Sequence, residues 1–281
     1  MQTPPQLTDR AALRRNRARA LAMGARAMFL QREAVLEVQE RLNLVNRTFT
    51  RPAIVTPFPA EWAGAIPAAV MVPDAEVLDL TVGAHDLVVH ALSLHWANDL
   101  VGQLVQARRA LRPDGLFLGV LFGGRTLHEL RAALAEAEAA VTGGLSPRVV
   151  PMAEIRDLGG LLQRAGFALP VADSRTLTVT YETALHLMRD LRAMGEANAM
   201  AARTRKPLRR AILDKAASLY RSNVSRGGRI VATFEMIFLP GWAPDASQPK
   251  PLRPGSAVKR LADALGADER PLIDPTDTRP V

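Results

Sequence analysis

Residues 86–100 read DLVVHALSLHWANDL and residues 112–124 read RPDGLFLGVLFGG, and these two stretches decide the fold. The apolar run from Leu87 to Leu92 predicts a strand covered on both faces. Asn98 is a natural helix N-cap, and Asp99 suits the positive end of the helix that follows. Arg108, Arg109 and Arg112 suit its negative end, and Pro113-Asp114-Gly115 turns the chain. GLFLGVLF then predicts a second buried strand. After Gly123-Gly124, the spacing of Thr126 and Glu129 is that of a capping box opening a helix to about Ala140. Strand, helix, strand and helix with short joints imply a parallel sheet with right-handed crossovers, so the class is α/β.

Upstream, apolar spacing predicts helices over 7–23 and 29–45. An irregular stretch from Arg51 to Glu76 follows, with short β-like pieces at 53–55 and 69–72 around a proline-containing loop. Downstream, Pro151 suits the first position of an amphipathic helix stopped by Gly166. A β-rich piece ending at Tyr181, helices near 182–194 and 206–222, and a strand from Ile230 to Leu239 complete the body. The expected organisation is a helical extension over 1–48, the main domain over 49–245 with a helical insertion near 182–225, and a Pro-rich tail over 246–281. One short helix is expected in that tail, at 257–265.

A chain of 281 residues, 48% hydrophobic and 23% charged, has the make-up of a globular protein with a sizeable core. It lacks an apolar run of about 18 residues and the short apolar core of a secretory leader, so a soluble, cytoplasmic protein is expected. The absence of cysteine excludes disulfides, thiolate nucleophiles and cysteine zinc sites. The formal charge is +8, and part of it is local: Arg10, Arg14, Arg15, Arg17, Arg19 and Arg26 crowd the first helix, opposed there by Asp9 alone. Such a helix suits solvent or a protein partner, an anionic membrane surface being the other candidate. With aromatics at 5% and none interleaved in the basic run, nucleic acid is not expected.

In open parallel sheets ligands collect beyond the carboxyl ends of the strands, which here means Ser93 to Trp96 and Phe122 to Gly124. His90, mid-strand, reads as a hydrogen-bonded core histidine, and His95 as a pocket or loop residue. Their spacing of five and the want of a nearby acidic or imidazole partner argue against a metal pair. Trp96 is either a hydrophobic plug or a stacking platform, and Gly123-Gly124 at a helix start is a candidate anion site. Ser93 lacks a nucleophile elbow and an evident acidic partner, so a hydrolase is not expected. No catalytic nucleophile is identified.

The unit DLVVHALSLHWANDL with RRALRPDGLFLGVLFGG resembles the fourth strand, fourth helix and fifth strand of class I S-adenosylmethionine-dependent methyltransferases. More narrowly, HWANDL, GGRTLHELR, DLGGLLQRAGF, LRAMGEAN and GWAPDASQPKPLRPGSA resemble the bacterial relatives of a mitochondrial complex I assembly factor that hydroxylates arginine. That family is related to the malonyl-carrier-protein methyltransferases of biotin synthesis. The resemblance implies a Rossmann-like methyltransferase sheet, S-adenosylmethionine as cofactor, and a respiratory-complex subunit as protein partner. It places the cofactor at Ser93, Leu94, His95 and Trp96, with Asp74 as a candidate for the ribose or the adenine amine. Tyr181, Arg189, Asp190, Arg192, Glu196 and Asn198 fall in shared blocks and are candidate substrate contacts.

The sequence departs from that pattern after the first strand. A glycine-rich loop belongs there, letting backbone approach the methionine part of the cofactor. This chain has TPFPAEWAGA instead, with two prolines and the bulk of Phe58 and Trp62. The interval to DLVVHAL is also short. The expectation is a methyltransferase-fold protein with lost or altered cofactor binding, a possible pseudoenzyme; the alternative is an active methyltransferase or protein-arginine hydroxylase.

Overall fold

The computed structural model describes residues 6–24 and 27–249. Arg26 and the tail helix expected at 257–265 lie outside the described residues. Among these, a sheet of seven strands runs in the order β2-β1-β3-β4-β7-β5, with the two-residue β6 (Ser225–Arg226) paired to β7. The strands are β1 (Pro52–Val55), β2 (Val70–Val72), β3 (His85–Ala91), β4 (Leu111–Phe122), β5 (Asp173–Tyr181) and β7 (Arg229–Trp242). β2, β1, β3 and β4 are mutually parallel, whereas β7 runs antiparallel between β4 and β5. This is a Rossmann-like α/β sheet, preceded by a helical pair and carrying two helices, α7 (Ala184–Ala193) and α8 (Arg210–Asn223), between β5 and β7.

The pleat explains the layers, because successive residues point to opposite faces. Ile54, Leu87, Val89, Leu118, Val120 and Phe238 pack on one face beneath α2 (Phe29–Leu44), α5 (His128–Thr142) and α8 (Arg210–Asn223). Ala53, Val55, Val88, Phe117 and Leu239 pack on the other, beneath α4 (Leu100–Ala110) and α6 (Ile155–Arg164). α1 (Arg10–Ala22) belongs to neither layer. Its Leu13 packs with Trp96 and Ala199, and its Ala20 with Met28 and Phe58, so it lies across the carboxyl ends of the first strands. α7 (Ala184–Ala193) flanks it.

Four local expectations are corrected. The N-cap of α4 is Asp99, whose carboxylate accepts from Gly102 N at 2.7 Å. Asn98 faces the N-terminal segment instead: its Oδ1 accepts from Leu7 N and Thr8 N, and its Nδ2 donates to Thr8 O. A side-chain amide carries the same donor and acceptor as a backbone peptide, so it can pair with an extended segment as a strand would. The capping box at Thr126 and Glu129 does not form. α5 starts after Leu127 in the left-handed region, at φ 54°, with no side-chain cap. Thr126 Oγ1 donates to Glu235 O and accepts from Glu235 N, and the Glu129 carboxylate accepts from Thr233 N and Thr233 Oγ1. Residues on β7, over a hundred positions away, outcompete the helix's own donors.

Pro151 is not in a helix, since α6 begins at Ile155. The turn Pro113-Asp114-Gly115 lies inside β4 rather than before it: His85 pairs with Leu111 and Leu87 with Leu116, so Asp86 alone faces the excursion. Asp86 ties it down by accepting from Arg112 Nη2 at 2.9 Å, as well as from Thr50 N and Arg51 N. Burial would raise its carboxyl, but the donors from Thr50 and Arg51 outweigh that and hold it below the usual carboxylate range.

Candidate functional site

The strand order reverses between β1 and β3, with β2 on one side and β4 on the other. The crevice beyond Val55 and Ala91 is therefore the place where a sheet of this kind binds ligands. Three segments form its rim.

The first is Thr56 to Pro59, after β1. Thr56 N donates to Val72 O at 2.9 Å, and Phe58 N donates to Thr56 Oγ1 at 3.1 Å. Pro57 and Pro59 have no N–H. Every amide donor of this four-residue turn is thus absent or engaged. The Phe58 ring is buried against Ala20 and Met28, and buried Trp62, at the end of the one-turn helix α3 (Pro59–Trp62), donates from Nε1 to Gln31 Oε1 at 2.9 Å.

The second segment follows β2. Both oxygens of Asp74 accept from Arg17 Nη1, at 2.6 and 2.8 Å. Arg10 Nη1 stands 3.6 Å from the same carboxylate, and Arg10 Nη2 donates to Asp74 O. Arg17 is the residue that sequence reasoning missed as a site residue. The available signal is its position: it shares the buried stripe of α1 with Leu13 and Ala20, where an arginine needs a partner.

The third segment follows β3. Leu92 adopts φ 44°, and a short 3-10 turn, Leu94–Trp96, comes after Ser93. His95 Nε2 lies 3.2 Å from Glu196 Oε2, and Trp96 Nε1 donates to that same oxygen at 2.8 Å. Burial works against the Glu196 carboxylate, yet His95, Trp96 and Arg17 overcome it and hold its pKa low, so Glu196 is an anion at neutral pH. Gly195 beside it sits at φ +81°, and a Cβ there would lie 3.1 Å from Phe58 and 3.3 Å from Arg17. Arg17 Nε, Arg17 Nη2 and His95 Nδ1 are buried without a hydrogen-bond partner.

The candidate residues are thus distributed over several places. Asp74 and Ser93 line a polar hollow of about 280 Å³ together with His90 and Gln103. His90 is buried, with Nε2 3.2 Å from Gln103 Oε1 and Nδ1 3.3 Å from Ser93 Oγ. Its desolvation lowers its pKa to about 4, so it is neutral at pH 7. Leu94 is buried against the middle of the sheet. Trp96, Glu196 and Asn198 line a second, mostly apolar cavity of about 350 Å³, closed by Phe122, Leu130, Met188 and Phe234. Asn198 donates to Pro147 O and accepts from Met200 N. Tyr181 is in the core, where burial and then the Asp190 carboxylate push its phenol up; Arg189 is exposed on α7. Asp190 does not line the cavity, whereas Arg192 does.

The loop at Gly123-Gly124 is filled by the protein itself. Gly123 N donates to Glu235 O and Arg125 N to Glu235 Oε2, and a Cβ at Gly124 would meet Glu154 Oε1 at 2.3 Å. Carboxylates of the chain hold the place expected for an external anion. Among the described residues no group of three acidic or histidine side chains is arranged to hold a metal, and no helix is long and apolar enough to cross a membrane.

No protein-family model matches the chain. In sequence it is homologous to the mitochondrial arginine-hydroxylase NDUFAF5 of Danio rerio, 41% identical over 199 residues, which is 70% of this chain and 62% of the relative. It is also homologous to the malonyl-[acyl-carrier protein] O-methyltransferase of Laribacter hongkongensis, 34% identical over 190 residues, 68% of this chain and 62% of the relative. The matched stretch spans less than two thirds of either protein. Among solved structures, the YcgJ protein of Bacillus subtilis aligns with 76% of this chain and 99% of its own, at a TM-score of 0.48 and 10% identity.

Proposed function

We propose that this homologue of the arginine-hydroxylase and malonyl-carrier-protein methyltransferase enzymes has kept their sheet and given up S-adenosylmethionine, and works as a partner-binding protein. The observation that carries the reading is the Arg17–Asp74 pair at the crevice, backed by a rim turn without free amide donors. S-adenosylmethionine brings a carboxylate, a ribose diol and a sulfonium. The carboxylate finds no backbone donor after β1. Asp74, the candidate for the diol, is neutralised from within the chain. The sulfonium meets the guanidinium of Arg17, a like charge in a partly desolvated site. The residues present do not fit the cofactor.

The partner, by family resemblance, is a subunit of a respiratory complex during its assembly, met in the cytoplasm. The exposed Arg14, Arg15 and Arg19 of α1 support a protein partner with an acidic face or an anionic membrane surface beside it. Calorimetric titration of the purified chain with S-adenosylmethionine and S-adenosylhomocysteine tests the reading. No heat of binding is expected up to millimolar ligand, and micromolar binding of either compound overturns it.

A second reading, a hydroxylase acting on an arginine side chain, is favoured by one feature. Glu196 puts an anionic carboxylate on the wall of the apolar cavity, where a guanidinium would be received. Incorporation of one oxygen atom from dioxygen into an arginine peptide, with a two-electron reductant supplied and the second oxygen leaving as water, followed by mass spectrometry in wild type and Glu196→Gln, separates it from the first.

A further inference from the structure

Arg10, Arg14, Arg17 and Leu21 recur on α1 at spacings of four, three and four, which sets them on one helix face. That face looks into a cleft of about 490 Å³, bounded opposite by Thr56, Pro57, Pro59, Met71 and Asp74. Three guanidinium groups therefore share the cleft with a single carboxylate. Asp74 engages Arg17 at 2.6 Å and Arg10 at 3.6 Å, and Arg17 also faces the Glu196 anion outside the cleft, so the lining keeps an excess of positive charge centred on exposed Arg14. Arg14 is exposed and has no partner among the described residues. Arg17 lines the same cleft, and two of its donors, Nε and Nη2, are buried without an acceptor, which is unfavourable until a ligand supplies one. The remaining walls, Leu21, Pro57, Pro59 and Met71, are apolar. The Arg10–Asp74 contact partitions this cleft from the polar hollow at His90 and Ser93, since both residues border each space.

We propose that this cleft binds an organic phosphate monoester, its dianionic head on Arg14 and Arg17 and its organic part against the proline and methionine walls. Two observations select that class. A phosphate supplies acceptors for the excess cationic lining and for the two partnerless donors of Arg17, and guanidinium forks bind phosphate oxygens in pairs. A bare inorganic ion would leave the apolar walls unused. The charge preference is the reverse of the one a sulfonium cofactor requires. The proposal rests on the reading that the crevice no longer takes S-adenosylmethionine.

The test is calorimetric titration of the full chain with phenyl phosphate, run beside inorganic phosphate and phenol, in wild type, Arg14→Gln and Arg15→Gln. Both substituted arginines are exposed, so melting curves close to wild type are expected, and Arg15 does not line the cleft. Saturable one-site binding of phenyl phosphate is expected, tighter than inorganic phosphate or phenol. It should weaken at least tenfold in Arg14→Gln and hold within twofold in Arg15→Gln. Equal weakening in the two variants reduces the effect to overall charge and overturns the proposal. Absence of saturable heat at millimolar phenyl phosphate also overturns it, as does tighter binding of a glutamate-rich peptide. Displacement of bound phenyl phosphate by S-adenosylmethionine would instead refute the loss of cofactor binding. Silence from both ligands sinks only the anion site.

Discussion

Replacing Arg17 by leucine should destabilise the protein although the substitution adds apolar surface to an apolar stripe. The Arg17 and Asp74 side chains are 9% and 12% exposed, so both charges are largely withdrawn from water. Removing one member of a buried pair strands the other, at about 3–5 kcal/mol. Arg10 remains 3.6 Å from Asp74 and offsets part of this, so about 2–3 kcal/mol is expected. For a unit of this size, roughly 2–4 °C of Tm per kcal/mol converts that to a fall of roughly 5–10 °C. Asp74→Asn alone leaves Arg17 uncompensated and should cost a similar amount. The double variant removes both buried charges and should recover to within about 1 kcal/mol of wild type. Urea unfolding followed by circular dichroism, analysed as a double-mutant cycle, gives the coupling directly. A fall of less than about 2 °C in Arg17→Leu, or strict additivity of the two substitutions, would falsify the claim that this pair fills the crevice as a unit.

Two further outcomes follow from groups around the same crevice. His90 has its pKa lowered to about 4, against an ordinary value of 6.5, so between those values the unfolded chain binds the extra proton. Its contribution is complete above about pH 6.5 and is lost as pH falls towards 4, on the order of 3 kcal/mol in all; in His90→Gln the slope of unfolding free energy over this window should flatten, and an unchanged slope would contradict the assignment. Gly195→Ala forces a left-handed alanine and puts a methyl 3.1 Å from Phe58, whereas Gly227→Ala, at φ +58° in open space, meets only the backbone penalty. Gly195→Ala should therefore lose at least about 1 kcal/mol more than Gly227→Ala in the same denaturation assay, and equal losses would show that the contact with Phe58 and Arg17 carries no weight.

What the sequence conveys about this fold depends on how far each signal reaches. β3, α4 and β4 are legible because continuous apolar runs, a cap and a proline turn are all local features, and they agree. Asn98, Thr126 and Glu129 are local cap signals as well, yet their side chains are claimed by Thr8, Glu235 and Thr233. A short motif cannot announce a competitor that arrives from another element. The altered turn after β1 is visible as TPFPAEW. What takes its place is not, because Arg17 and Asp74 lie 57 positions apart and acquire meaning only as a pair. The arginine-rich character of α1 reads as one property in the sequence, but the structure divides it between Arg17, buried and ion-paired, Arg10, half-buried on the same aspartate, and the exposed Arg14, Arg15 and Arg19. Trp96 and Glu196 are a further case: their hydrogen bond joins two blocks a hundred residues apart.

The position of β7 has a consequence for how the chain is made. β7 is among the last segments of the described chain to leave the ribosome, yet it lies inside the sheet, its residues 230–238 paired with β5 and 236–242 with β4. Until residue 242 has emerged, β4 presents an open edge and β5 has no strand to join. The anchors from Glu129 to Thr233 and from Thr126 to Glu235 are missing over the same period. A nascent chain halted before Arg229 thus holds two unsatisfied edges and an unpinned α5, the state in which strands recruit strangers. Vectorial synthesis makes the last of the described strands the keystone, and the half-built sheet is the form of this protein that most needs a chaperone.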